Sequence, residues 1–188
     1  MPTPLLPLAL LAGALVHRHY STRPRKIFFS FHYADIFRVM QVKKAWVTHR
    51  SHRAAGFFDH SLEEVAKTEG AWVVRRLINE ALEDTEVTAV LIGEKTARRR
   101  WVNYEIKQSA LRGNRLLAIQ IHNLKGSDGR RGRRGANPFE NFDVDEDRLY
   151  TLADFVPEYD WSLNDGYHNF GEWIRESLTL REIQRRIS

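Results

Sequence analysis

The sequence predicts an α/β domain with a mostly parallel central sheet covered by helices, and three observations lead there. Short apolar runs alternate with longer stretches of helical periodicity along most of the chain. Two of those runs, Val87 to Ile92 and Arg115 to Ile121, are nearly continuous in apolar residues, the pattern of strands buried on both faces. A length of 188 residues, with 43% apolar and 28% charged side chains, suits one globular domain and is short for two.

Residues 1–25 read as an extension and residues 26–188 as the domain, including a helical C-terminal segment. Leu5 to Val16 is almost wholly apolar and is followed by His17, Arg18, His19, Arg23, Arg25 and Lys26. A signal peptide carries its basic residues before the apolar run, and a full span needs about 20 apolar residues. The segment is therefore either a short N-terminal anchor or an extension with no part in the core. As an anchor, the basic flank would keep the domain on the cytoplasmic side.

Lys26 to His32 reads as the first strand, Ala34 to Arg50 as a helix and Gly56 to His60 as a short second strand. Ser61 with Glu64 resembles a capping box, and Gly70 divides that stretch from a helix over Ala71 to Glu83. Val87 to Ile92 is the third strand, and the helix containing Glu105 leads to the fourth, Arg115 to Ile121. Lys125 to Asn141 holds Gly126, Gly129, Gly132, Gly135 and Pro138 and reads as a long flexible loop. The acidic cluster Asp143, Asp145, Glu146 and Asp147 lacks calcium-loop spacing and reads as a solvated turn or a partner for the arginines. Asn169 to Arg186 is predicted as one closing helix.

Composition removes several function classes. There are no cysteines, hence no disulfide, thiolate metal site or cysteine nucleophile. The net charge of +5 is concentrated in residues 1–26 and 125–135, leaving the rest mildly acidic, so a nucleic-acid partner is not expected. His49 and His52 lack cysteine company or an HExxH frame, and no metal is predicted. There is no GxGxxG after the first strand and no GxxxxGK[ST], which argues against a dinucleotide oxidoreductase and a P-loop enzyme.

In open parallel sheets ligands bind beyond the carboxyl ends of the strands. That rim should collect Ser30, Phe31, His32 and Tyr33 after the first strand, Asp59 and His60 after the second, and Gly93 to Thr96 after the third. Phe31, His32 and Tyr33 are placed to stack on a base or bond a phosphate, and Asp59 to hold a ribose hydroxyl or cap a helix. Trp101, Tyr104 and Glu105 share one helical stripe, so a carboxylate stands beside two large rings. Two roles are open to Glu105, a site carboxylate or a surface partner for Arg98 or Arg112, and two to the rings, pocket wall or core. Arg98, Arg99 and Arg100 either approach a pyrophosphate or solvate the surface.

Ile27-Phe28-Phe29-Ser30-Phe31-His32-Tyr33 with Asp35, and later Trp101-Val102-Asn103-Tyr104-Glu105, resemble the TIR-like family, whose bacterial members include the Thoeris antiphage sensors. The resemblance covers about Lys26 to Leu124, with Asn137-Pro138-Phe139 as a further shared feature. It implies a flavodoxin-like three-layer fold and cleavage of the nicotinamide–ribose bond of NAD+, with Glu105 as the essential glutamate. NAD+ would then be a substrate and no cofactor is expected. Ser30, Phe31, His32, Tyr33, Asp59, Gly93, Trp101 and Tyr104 are the candidate substrate-binding residues. The implied product is an ADP-ribose derivative, linear or cyclic, read by a downstream effector in antiviral defence, with self-association of a cytoplasmic protein. TIR domains also serve as assembly adaptors, so a non-enzymatic interaction module is the alternative.

Overall fold

The structure is a computed structural model and describes residues 26–49, 54–55 and 66–187. Five strands run parallel in the order β2-β1-β3-β4-β5: β1 Ile27–Phe31, β2 Ala54–Ala55, β3 Val87–Ile92, β4 Arg115–Gln120 and β5 Glu158–Asp160. The helices are α1 Ile36–His49, α2 Ala71–Leu82, α3 Arg100–Arg112, α4 Gly166–Glu176 and α5 Leu180–Ile187. The order reverses between β1 and β3, which is the switch point of a flavodoxin-like sheet.

Strand alternation decides which layer each side chain joins. Ile27 and Phe29, Ala89 and Leu91, and Leu117 and Ile119 face α1 and α4, where they meet Val39, Val42, Trp46, Phe170 and Trp173. Val90, Ile92, Leu116 and Ala118 face the other way, toward Val102 and Ile106 of α3, Phe139 and Ile183 of α5. Phe28, on that second side, packs with Val74, Ile78 and Leu82 of α2 and with Trp101. The central strands are thus buried on both faces, as their apolar runs predicted.

One polar seam interrupts the second face. Ser109 of α3 accepts a hydrogen bond from Thr88 of β3 at 2.7 Å, and Asn114 donates to Thr88 at 3.1 Å and to Thr85 at 2.8 Å. These hydroxyls are buried, and each satisfies another, which removes most of the penalty of placing them there. Gly113, with φ 83°, ends α3 in the left-handed conformation that favours glycine.

The structure departs from the sequence expectations, or does not reach them, in four places. The residues paired with β1 are Ala54 and Ala55, and the predicted strand Gly56–His60 lies outside the described residues. The closing helix is two helices, because the chain turns extended at Ser177 and the backbone N–H of Leu116 donates to Leu178 across that break. Thr179 and Glu182 then cap α5 reciprocally. The β5 strand has only three half-buried residues and no apolar run to announce it.

The fourth departure is the glycine-rich loop, which is organised around Arg38. The Arg38 guanidinium donates to the carbonyls of Leu124 at 3.0 Å and Arg130 at 3.3 Å and pairs with Asp35 at 3.1 Å. Lys125 and Arg131 form an antiparallel bridge, Gly129 turns the tip at φ 71°, and a Cβ at Gly126 would stand 2.9 Å from the guanidinium. Gly126 and Gly132 make room for an arginine that holds the loop. The acidic cluster is a turn in which Asp145 accepts from the amides of Leu149 and Tyr150, while Asp143 pairs with Arg148 at 3.4 Å.

Candidate active site

Ser30 is the second-last residue of β1 and points to the α3 side of the sheet, where alternation leaves it facing a helix instead of solvent. Its hydroxyl donates to Glu105 Oε2 at 2.5 Å. Glu105 is 4% exposed and stands one turn before Ser109, so the carboxyl group and the Thr88–Ser109 bond lie on the same stripe of α3. It is not the surface glutamate that a pairing with Arg98 or Arg112 would require. Burial pushes its pKa up to about 8, and the Ser30 hydrogen bond opposes that rise. A buried carboxyl group that has one hydroxyl partner and no cation among the described residues is poised to receive positive charge.

The rim above it is drawn together by two glycines. A Cβ on Gly93 would lie 2.0 Å from Asp35 Oδ2, and a Cβ on Gly135 would lie 2.0 Å from the Gly93 carbonyl oxygen. Gly93 therefore lets the turn after β1 close onto the end of β3, and Gly135 lets the returning loop close onto that same strand end. The Gly93 amide donates to Thr96 Oγ1 at 2.9 Å, and Asn103 and Asn141 both donate to the Ala97 carbonyl. Asn137 caps the Pro138–Asn141 turn through the Phe139 amide and donates to Glu158 at 2.8 Å. The Asn137-Pro138-Phe139 motif thus anchors the far wall, with Phe139 in the core.

His32 leaves β1 directly into this rim. Its pKa is held down to about 4, first by burial and then by the positive charges of Arg99 and Lys95. Its Nδ1 and Arg99 Nε are buried atoms without a hydrogen-bond partner. Burial raises the Asp35 carboxyl above its ordinary value, Arg38 opposes the rise, and Glu94 adds to it.

The other predicted residues divide. Phe31 is half-buried and packs at the edge of the α1–α4 core, while Tyr33 is exposed at the rim. Trp101 and Tyr104 meet edge to face at 6.1 Å, in the cluster that α3 makes with α2 and Phe28. Asn79 donates to the Tyr104 hydroxyl at 3.2 Å. Trp101 Nε1 is buried without a partner. Asp59, His60 and His52 lie outside the described residues. Among the described residues no three His, Asp or Glu side chains converge as metal ligands, and no helix is long and apolar enough to cross a membrane; residues 5–16 are not among those described.

Sequence reasoning missed the polar cluster at the ends of β4 and β5. Gln120, 2% exposed, donates to the Gly135 carbonyl at 3.1 Å and to Glu158 at 3.0 Å, and Arg134 reaches Glu158 at 2.7 Å. Asn123 donates to Asp160 at 2.9 Å, with His122 at 3.6 Å from the same carboxylate. A glutamine inside an apolar run was the available signal. Asp35 stood in the motif after the first strand, but its pairing with Arg38 gave no signal, because an Asp and Arg three apart on a helix are ordinary surface pairs.

A five-stranded parallel sheet in this order is that of a flavodoxin-like domain, and Glu105 lies buried at its β1/β3 switch point. The family described as Thoeris protein ThsB, TIR-like domain, matches residues 28–126, and the chain belongs to that family. A relative from Bacillus cereus (strain MSX-D12), named "Putative cyclic ADP-D-ribose synthase ThsB1", is 35% identical over 189 residues, covering 80% of this chain and 98% of the relative.

Proposed function

We propose that this protein cleaves the nicotinamide–ribose bond of NAD+ and releases an ADP-ribose-derived signalling nucleotide, cyclic by analogy with the activity in the relative's name. The observation that carries the reading is the buried Glu105 carboxyl group, bonded by Ser30 at the switch point of the sheet. The C1′–N1 bond breaks with its electron pair passing to the ring nitrogen, so nicotinamide leaves neutral and needs no proton. Positive charge then develops on the ribose, and a carboxylate in a site of low dielectric stabilises it. The cationic ring of NAD+ supplies the counter-charge that Glu105 lacks in the free protein and favours its ionised form.

Attack by an adenine or ribose group of the same molecule closes a cyclic product, and attack by water gives ADP-ribose. Ser30 positions Glu105, while His32, Tyr33 and Gly93 belong to the rim that receives the nucleotide, and Phe31, Trp101 and Tyr104 shape its walls; Asp59, outside the described residues, stays a candidate partner for a ribose hydroxyl on sequence grounds. NAD+ is consumed as substrate, and no cofactor is needed. The product is read by a downstream effector in Thoeris-type defence, and the domain self-associates. Residues 26–188 form the catalytic unit. The apolar run 5–16 is a candidate anchor, tested by membrane flotation of the full chain beside one starting at Ser21.

Mass spectrometry of nucleotides from cells expressing wild type or Glu105→Gln, with and without phage infection, tests the reading. Loss of NAD+ with a new ADP-ribose derivative, absent in the variant, is the expected result. Unchanged NAD+ in every arm would replace it with the interaction-module reading.

A further inference from the structure

Most arginines on this fold that are drawn toward the protein meet an acid. Arg38 meets Asp35 and Arg115 meets Glu182. Arg99 does not. It is half-buried at the residue preceding α3, its Nε is enclosed without a partner, and no carboxylate lies within ion-pairing distance of it among the described residues. Arg98 and Arg100, its neighbours, are exposed, and Arg100 lies 4.5 Å over the Trp101 ring. Lys95, on the same loop, also has no acidic partner among the described residues.

β1 and β3 are paired up to Phe31 and Leu91, and the turn after β1 touches Gly93, so His32 leaves β1 beside the loop that carries Lys95 and Arg99, whose charges hold its pKa down. Two cations and an imidazole with an unpartnered buried Nδ1 are thus gathered on one side of the switch point. Glu94, beside Lys95, and Asp35, against Gly93, carry the neighbouring carboxyl groups, but Asp35 pairs with Arg38 and neither pairs with Arg99, which leaves its guanidinium open to an anion from outside. The first turn of α3 carries no acid, so its open amides add to the same positive potential. Arg99 precedes Glu105 by six residues, about 9 Å along a helix. That separation suits a ligand with a reacting ribose at one end and a linked anionic group at the other.

We propose that Arg99 and Lys95, with His32, form a clasp for the diphosphate bridge of the dinucleotide, Arg99 as the planar donor and Lys95 as the point charge. The identity of the dinucleotide rests on the function proposed above, whereas the clasp itself is a diphosphate site. It separates Arg99 from Arg98 and Arg100, which the sequence alone treats alike.

The test is calorimetric titration of the purified full chain with ADP-ribose, which carries the diphosphate but has no nicotinamide to lose. Wild type should bind, with affinity falling as salt rises. Arg99→Gln should weaken binding about tenfold or more, Lys95→Gln by less, and Arg98→Gln not at all. Inorganic pyrophosphate should compete. Arg99→Gln should also raise KM for NAD+ relative to nicotinamide riboside, which lacks the diphosphate. Arg99→Lys, measured alongside, keeps the charge and should retain partial affinity if Arg99→Gln folds poorly. Wild-type affinity in folded Arg99→Gln, or no ADP-ribose binding by wild type, overturns the clasp. NAD+ cleavage with normal KM in Arg99→Gln would sink the clasp alone, and Arg99-dependent binding without cleavage by wild type would sink the enzymatic reading alone.

Discussion

Replacing Glu105 with glutamine keeps the shape of the side chain and an oxygen that accepts from Ser30, and removes only the ability to ionise. In the wild type the buried carboxyl group titrates near 8, against 4.5 ordinarily. Between those values the folded state holds a proton that the unfolded chain has released, so stability falls as pH rises through the window. The full contribution is present below pH 4.5 and is lost by about pH 8. At 1.36 kcal/mol per pH unit the gap is worth about 5 kcal/mol, an upper bound because water entering beside the ionised group relaxes part of it. A loss on the order of 2–5 kcal/mol is large for domains whose stability is typically 5–15 kcal/mol.

Urea unfolding of both proteins at intervals from pH 5 to 9 reads this directly, since all other titrations, Asp35 included, are common to the pair. Wild type should lose midpoint concentration steadily relative to Glu105→Gln, the curves parting fastest between about pH 5.5 and 7 and running parallel again above about 8. Superimposable pH profiles would show that Glu105 is not held neutral in the fold, and the reasoning about its charge would fail. In turnover, log kcat/KM for NAD+ should climb with pH and level off above about 8, where the free enzyme holds its carboxylate ionised.

Ser30→Ala removes the group that opposes the rise, so the kcat/KM profile should move to higher pH while circular dichroism stays unchanged. An unmoved profile would show that the bond does not govern Glu105. Gly135→Ala drives a methyl group into the Gly93 carbonyl and should cost about 1–3 kcal/mol in chemical denaturation. A neutral result would mean the loop packs on the rim more loosely than this geometry requires. Arg38→Ala should accelerate amide exchange at Gly126 and Gly132, whose loop it holds, by tenfold or more, with little change in the β3 and β4 amides. Equal protection in the variant would show that the loop keeps its form without the arginine.

What could be read from the sequence depended on whether a feature repeats locally. β3 and β4 are legible because every residue is buried or nearly so, which forces an apolar run. α2 is legible from its spacing between Gly70 and Glu83. Ser30 and Glu105 were legible as rim and helix residues, but the bond between them joins positions 75 apart and leaves no local pattern. β5 escaped because three half-buried residues at a sheet edge need no apolar character. In the glycine loop Gly126 and Gly132 accommodate the Arg38 guanidinium while Gly129 supplies a left-handed turn, and composition alone cannot distinguish glycine used for space from glycine used for freedom.

The seam formed by Thr88, Ser109 and Asn114 has a consequence for sequence drift. Apolar contacts tolerate a helix sliding or rolling by a fraction of a turn, whereas a hydroxyl pair at 2.7 Å holds one register or none. Ser109 lies a single turn beyond Glu105, so that bond works as an index pin for the carboxyl group. Substitutions at Thr88 or Asn114, remote from any nucleotide, would therefore surface as errors of turnover in a protein that still folds. Two chains could share every rim residue and still differ in rate because the pin was cut differently.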